Sequence, residues 1–263
     1  WNFPVWQIIR FIIPTLLAGN TCLIKPAPNT YRIANQLIYF FKNNNIPIVN
    51  NFIPTTTDCE TLIGNPLISG VSFTGSVNVG KHIGSLATHH LKPCVLELGG
   101  SDPFIVFHDA PIEQAITQAV TARFLNCGQT CISAKRFYFA EEIYDKALHL
   151  LTEKTSQFIQ YGNPLDPSTT IGPLAKKSIK DTLIDQITSA NIPNKAIAYQ
   201  DSHVPNSGYY YPATIIDGTT IANDNILLTE EIFGPVAICQ PFQTTKDAIA
   251  KANQTEYGLG ASI

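Results

Sequence analysis

Gly70-Val71-Ser72-Phe73-Thr74-Gly75-Ser76 and Cys94-Val95-Leu96-Glu97-Leu98-Gly99-Gly100 decide the fold class. Each reads as a short apolar strand that ends on glycine. Between them Val79, Ile83 and Ala87 recur on one face of a helix that opens at Gly75 and Ser76. Strand, helix, strand at this spacing implies a crossover connection and a parallel sheet, hence an α/β fold. Upstream, Thr21–Lys25 reads as a strand. Asn29 and Thr30 stand where they could cap a helix with apolar positions Ile33, Ala34, Leu37, Ile38 and Phe41. Ile46–Phe52 is a further strand, weakened by Pro47. Gly99-Gly100 closes this unit, which places a domain boundary between residues 1–98 and 99–263. Downstream, strands are expected at Phe104–Phe107, Arg136–Ala140, Tyr209–Ile216 and Val236–Phe242, and helices at Glu113–Phe124, Ile143–Phe158 and Leu174–Ile187.

The composition excludes several classes. Of 263 residues 44% are hydrophobic and only 14% charged, against a usual ~25% charged, so the chain has a core and is not disordered. Seventeen basic against twenty acidic residues give −3, which argues against a nucleic-acid surface. No apolar run reaches the roughly 18 residues of a membrane span; the longest, Ile8–Ala18, is broken by Arg10 and Pro14. Six scattered cysteines without a CxxC pair suit neither a disulfide scaffold nor a zinc site, so no metal and a reducing, cytoplasmic setting are expected. The chain lacks Met, opens on Trp1-Asn2-Phe3-Pro4 and stops in mid-pattern at Ala261-Ser262-Ile263, and it reads as an internal stretch of a longer protein.

Five places could carry chemistry. In Phe124-Leu125-Asn126-Cys127-Gly128-Gln129-Thr130-Cys131, Gly128 permits a sharp turn after a helix, leaving Cys131 between elements where it can face a cleft. A buried cysteine acting as a small hydrophobe is the alternative there, and the expected role of Cys127; a redox pair of the two is a minor alternative. Glu97 is a carboxylate in an apolar strand, either paired structurally or tuned as a general base. Its place at the C-terminal end of a parallel strand favours function. Ser76 could cap a helix whose first amides hold a phosphate, although the segment is not GxGxxG. Lys25 ends a strand, as a solvated lysine or a donor to ribose or phosphate. Asn2 lies in an apolar stretch before Pro4, where it could simply make a turn.

Together these segments resemble the aldehyde dehydrogenase superfamily. The resemblance rests on Trp1-Asn2-Phe3-Pro4, Ala18-Gly19-Asn20 through Lys25-Pro26, Phe73-Thr74-Gly75-Ser76 and Glu97-Leu98-Gly99-Gly100. It continues through Asn126 with Gly128-Gln129 and Cys131, Glu231-Ile232-Phe233-Gly234-Pro235-Val236, and Asn253 with Tyr257-Gly258-Leu259. It implies a Rossmann-type cofactor domain and an α/β catalytic domain, with the family's N- and C-terminal segments outside this stretch. It implies Cys131 as nucleophile, Glu97 as general base and Asn2 as oxyanion donor. It also implies that NAD or NADP contacts Lys25, Gly75, Ser76, Glu231 and Phe233, and that the intact protein is a homodimer or homotetramer. Within the family the chain looks most like bacterial succinate-semialdehyde dehydrogenases, in which Arg10 falls where an arginine meets the substrate carboxylate. A second arginine common there is replaced by Leu125; Arg123 lies nearby but should point elsewhere. Pro28 replaces a glutamate of many NAD-preferring relatives, so NADP should be tolerated. Other small aldehydes, a coenzyme-A-acylating relative, a cysteine hydrolase using His82, His89, His90 or His108, and a non-catalytic paralogue are the alternatives; Glu97 opposes the second, and Cys131, Glu97 and Asn2 together oppose the last.

Overall fold

The computed structural model describes residues 1–46, 49–51 and 56–263. It falls into two units, Trp1–Leu98 and Gly99–Ile263.

The first unit opens with a helix, α1 (Pro4–Leu17), where the sequence suggested only an interrupted apolar run. Pro4 stands at the start, where the missing N–H has no intrahelical partner to lose. Gly19 at φ +79° ends the helix in the left-handed region. Ile8 and Ile12 of α1 bury against Cys22 and Ile24 of β1 (Cys22–Ile24) and against Ala34, Ile38 and Phe41 of α2 (Tyr31–Asn43). Thr30 occupies the N-cap of α2 but its side chain does not cap it. A single 3-10 turn precedes the helix, and the Thr30 hydroxyl donates back to the Ala27 carbonyl at 3.2 Å. β1 pairs in parallel with β2 (Val49–Asn51), which is what remains of the Ile46–Phe52 strand; residues 47, 48 and 52 lie outside the described residues.

After α3 (Thr56–Gly64) come β3 (Val71–Thr74), α4 (Val77–His89) and β4 (Cys94–Glu97). β3 and β4 are parallel, with Thr74 level with Glu97. Of the expected face of α4, Ala87 is fully buried and Ile83 partly so, while Val79 is 47% exposed. Gly80 and Gly84 turn inward beside them: a Cβ on Gly80 would lie 2.3 Å from Leu98, and one on Gly84 3.1 Å from Leu96. Among the described residues the parallel strands of this unit form two separate pairs rather than one continuous sheet.

The second unit is a five-stranded sheet, in the order β5 (Asp102–Val106), β6 (Ala134–Ala140), β9 (Val236–Phe242), β8 (Thr214–Asp217), β7 (Ile197–Gln200). All neighbours are parallel except the edge strand β7. β6 is buried along its whole length, as an inner strand covered on both faces must be. One face carries α5 (Ile112–Phe124) and α6 (Tyr144–Phe158), whose Ile116, Val120, Phe124, Ala147 and Leu151 enter the main core. The other carries α9 (Thr245–Ala252), where Ala248 packs with Ile105, Tyr138, Ala140 and Phe242. α7 (Lys177–Ser189) and the short α8 (Ile226–Thr229) complete the unit.

Two boundaries differ from expectation for identifiable reasons. α7 starts at Lys177, not Leu174, because Leu174–Lys176 is irregular, with Lys176 extended and the Ala175 amide donating to the Gln129 side chain at 2.9 Å. β8 starts at Thr214, not Tyr209: the Tyr209 carbonyl accepts from Leu174 instead of a neighbouring strand, and Pro212 has no N–H to donate.

Candidate active site

In the first unit the residues of interest gather at the C-terminal ends of parallel strands. Lys25 and Pro28 follow β1 and are exposed. Gly75 follows β3, and its amide donates to the Glu97 carbonyl at 3.1 Å. A Cβ on Gly75 would sit 2.5 Å from the Phe73 ring. Ser76 holds the N-cap position of α4 with extended backbone, and its side chain makes no cap bond, contrary to expectation. A lysine, a serine hydroxyl and the amides of a 13-residue helix are the donor set a dinucleotide's ribose and phosphates require. Asn2 lies before α1 and is half-buried.

Glu97 ends β4, and its carboxylate pairs with Arg10 of α1: Arg10 Nη2 lies 2.9 Å from Glu97 Oε1. Their side chains are 36% and 33% exposed, so the burial that made Glu97 look expensive is only partial. Two residues given separate roles are thus joined within one unit. His82, a weighed hydrolase partner, is held by Glu60 at 2.8 Å.

In the second unit Cys131 sits half-buried on a turn between α5 and β6. Asn126, Cys127 and Gly128 have φ of 53°, 58° and 69°, three successive left-handed residues. Gly128 has no alternative: a Cβ there would lie 2.4 Å from the Gly234 carbonyl and 2.7 Å from Arg123. Gln129 locks the turn by donating to the Asn126 carbonyl at 3.2 Å and accepting from Ala175. Cys127 is buried, its thiol donating to the Gly172 carbonyl, and burial pushes its pKa up to about 11. Burial also pushes up Cys22, Cys94 and Cys239.

Gly99-Gly100 passes between Cys131 and Glu231. A Cβ on Gly100 would lie 2.7 Å from the Cys131 carbonyl oxygen, and one on Gly99 2.4 Å from Glu231 Oε2. The Gly100 amide donates to Glu231 Oε1 at 3.1 Å. Burial raises the Glu231 pKa, opposed by that bond and by the charges of Lys135 and Arg123.

Sequence reasoning gave Lys135 no role and said of Arg123 only that it should point elsewhere. Arg123 is fully buried at the end of α5. It donates to the Ser133 hydroxyl and the Ala134 carbonyl at 3.1 Å each, to the Ile232 carbonyl at 3.0 Å and to the Gly234 carbonyl. Burial lowers its pKa to about 9 against the pull of Glu231. The signal was present: Arg123 lies seven residues after Ile116 and three after Val120, on the core face of α5. Leu125, by contrast, is 55% exposed. Lys135 is 1% exposed and donates to the carbonyls of Thr130, Cys131 and Ser133 at 3.2, 3.0 and 3.0 Å. It sits in a strand buried from end to end, where periodicity gives no hint of a charge. Among the described residues no cluster of three metal-ligating side chains exists, and no helix is long and apolar enough to cross a membrane.

A family model described as the aldehyde dehydrogenase family matches residues 1–263. An NADP(+) succinate-semialdehyde dehydrogenase of Mycobacterium ulcerans is 38% identical over 264 residues, covering 100% of this chain and 57% of that protein. An aldehyde dehydrogenase of Paenarthrobacter nicotinovorans is 38% identical over 265 residues with the same coverage. The crystal structure of succinic semialdehyde dehydrogenase from Streptococcus pyogenes with NADP+ superimposes with a TM-score of 0.92 at 33% identity, over 99% of this chain and 57% of that one. The α/β fold expected from the resemblance is the fold of that structure. The chain spans little more than half the length of these relatives.

Proposed function

The chain belongs to the aldehyde dehydrogenase family, and from that premise we propose that the protein oxidises an aldehyde to its carboxylic acid with NAD or NADP, succinic semialdehyde being the substrate. The observation that carries this reading is the Asn126–Cys131 turn: three left-handed residues locked by Gln129 present a half-buried thiol. In this reading residues 1–98 bind the cofactor and residues 99–263 carry the nucleophile.

The Cys131 sulfur adds to the aldehyde carbonyl and turns a poor hydride donor into a tetrahedral thiohemiacetal. Its oxyanion takes hydrogen bonds from the Asn2 side chain and the Cys131 amide. Lys25, Gly75 and Ser76 would hold the adenosine ribose and pyrophosphate, and Glu231 the nicotinamide ribose with Phe233 beside it. Bound there, the nicotinamide supplies the hydride acceptor. The resulting Cys131 thioester is hydrolysed by water whose proton Glu97 accepts. The Arg10 guanidinium occupies Glu97 Oε1 at 2.9 Å, so Glu97 reaches water when that contact opens.

Succinic semialdehyde is favoured by Arg10, a charge in an apolar helix that can meet a distal carboxylate, and by the names of the relatives. Glu97 speaks against acyl transfer to coenzyme A, which needs no water-activating base. A cytoplasmic setting fits the six free cysteines, and a homodimer or homotetramer follows from the resemblance. The test is a panel of aldehydes assayed with both cofactors on the intact protein. Succinic semialdehyde should give the highest kcat/KM. A better butyraldehyde would discard the substrate, and absence of NAD(P)H formation with every aldehyde would discard the activity.

A further inference from the structure

We propose that Lys135 is a positioning residue that aims and strengthens the Cys131 amide as an oxyanion donor. The proposal rests on reading Cys131 as the nucleophile.

The geometry is specific. An ammonium has three donors and no acceptor, and Lys135 spends all three on carbonyls of the turn that carries Cys131. One of those carbonyls belongs to Thr130. In a trans peptide the C=O and the following N–H point in opposite directions, and the chain has no cis peptide bond among its described residues. Holding the Thr130 oxygen onto Lys135 therefore turns the Cys131 N–H to the opposite side, away from the buried charge. The same contact polarises the Thr130–Cys131 peptide, which makes that N–H a stronger donor. The Cys131 carbonyl is held by the same ammonium, so both peptides flanking the thiol are fixed by one group.

Lysine is a costly choice at a site 1% exposed. The charged groups facing it are Arg123 from α5, Asp102 from β5, Glu231 from the segment before β9 and Cys131 on its own turn. Burial and the like charge of Arg123 lower the Lys135 pKa to about 8, against the pull of Glu231, Asp102 and Cys131. The ammonium is thus present at neutral pH and lost above it.

The test compares the intact wild-type protein with Lys135→Met and Lys135→Gln, the second keeping a donor if the first does not fold. The expected result is a fall of at least about tenfold in kcat at pH 7 with KM within about twofold, since weakening an oxyanion donor acts on the transition state. The wild-type to Lys135→Gln ratio of kcat should shrink towards one as pH rises from 7 to 10. A folded variant with unchanged kcat, or a ratio independent of pH, overturns the proposal. Mapping of limited iodoacetamide labelling on the wild type separates the two readings: if Cys131 is not alkylated ahead of the other five thiols, the nucleophile assignment itself fails.

Discussion

Two groups of charges in this chain are built in opposite ways. In the first unit Arg10 and Glu97 meet directly at 2.9 Å, each about a third exposed. In the second, Arg123, Lys135 and Asp102 are buried and Glu231 is half-buried, yet none of their contacts described above is a direct ion pair. The cations take backbone carbonyls, and the carboxylates take backbone amides, Glu231 from Gly100 and Asp102 from Gly260 at 3.0 Å. Opposite signs balance at longer range, as the mutual pull of Arg123 and Glu231 shows. Water screens the first pair, so it adds only ~0–1 kcal/mol of stability and is easily exchanged. Each charge of the second group is tied to backbone by hydrogen bonds, so moving it breaks contacts that water does not replace. The difference assigns the labour: the exposed pair is free to meet a substrate or a water, and the buried group holds the turn and the Glu231 segment in place.

The largest effect that would sharpen this contrast is on turnover. Glu97→Gln should lower steady-state turnover by about 10²- to 10⁴-fold, the usual loss for a general base. Rapid-quench kinetics should show a burst of NAD(P)H before the slow phase, because the thioester forms and waits. Thermal stability should barely move. An unchanged steady-state rate would remove Glu97 from the chemistry and leave the exposed pair without a function.

Arg123→Met should behave in the reverse manner. It removes a fully buried cation that holds Ser133, Ala134, Ile232 and Gly234, leaving Glu231 with Lys135 as the remaining cation beside it. Breaking such a buried network typically costs about 3–5 kcal/mol. Denaturant unfolding should show that loss. A change below about 1 kcal/mol would mean the buried group is no stiffer than the exposed one, and the comparison would break.

How much of this was legible in the sequence follows the same division. The strand–helix–strand unit around Phe73 and Leu96 was readable because each apolar run ends on glycine. Four strands of the second sheet were located but its edge strand β7 was not, and the start of α7 was misjudged where the Gln129 side chain captures the Ala175 amide from afar. Cys131, Glu97 and Arg10 stood out as polar groups in apolar or glycine-punctuated surroundings. The Arg10–Glu97 contact was not readable, because it joins residues 87 positions apart and no local pattern encodes that. Arg136 read only as the first residue of a strand and Lys135 carried no role, whereas backbone carbonyls satisfy both inside the core, Arg136 through Ser101 and Ala252. Glu231 could be found only through the resemblance.

A smaller effect should separate stability from specificity within the exposed pair. Arg10→Ala should lower kcat/KM for succinic semialdehyde by one to two decades, roughly 1.5–3 kcal/mol for a lost charge-assisted hydrogen bond. Butyraldehyde, with no distal carboxylate, should lose much less, and could gain if Glu97 is released from its partner. Equal losses for both aldehydes would make Arg10 a structural partner of Glu97 and nothing more.

The smallest effect concerns the exposed end of β1. Pro28 follows Lys25 by three residues, and both are exposed. Proline brings neither charge nor donor, so nothing at this position repels a 2′-phosphate, and Lys25 remains to meet it. NADP should therefore be used alongside NAD, within a hundredfold or about 2.7 kcal/mol in kcat/KM. Pro28→Glu should lower NADP use selectively. Two unit charges about 5 Å apart in water repel by only about 0.8 kcal/mol, and a 2′-phosphate carries up to two, so the expected loss is about tenfold. NAD use should change little, because its ribose hydroxyls can donate to the new carboxylate. The site is open to solvent, so the NADP penalty should shrink as salt is raised, unlike any effect in the buried group of the second unit. The measurement is kcat/KM for each cofactor at saturating aldehyde, at low and high ionic strength. If both cofactors lose equally, position 28 does not face the ribose, and the adenosine end must be sought elsewhere than beside Lys25.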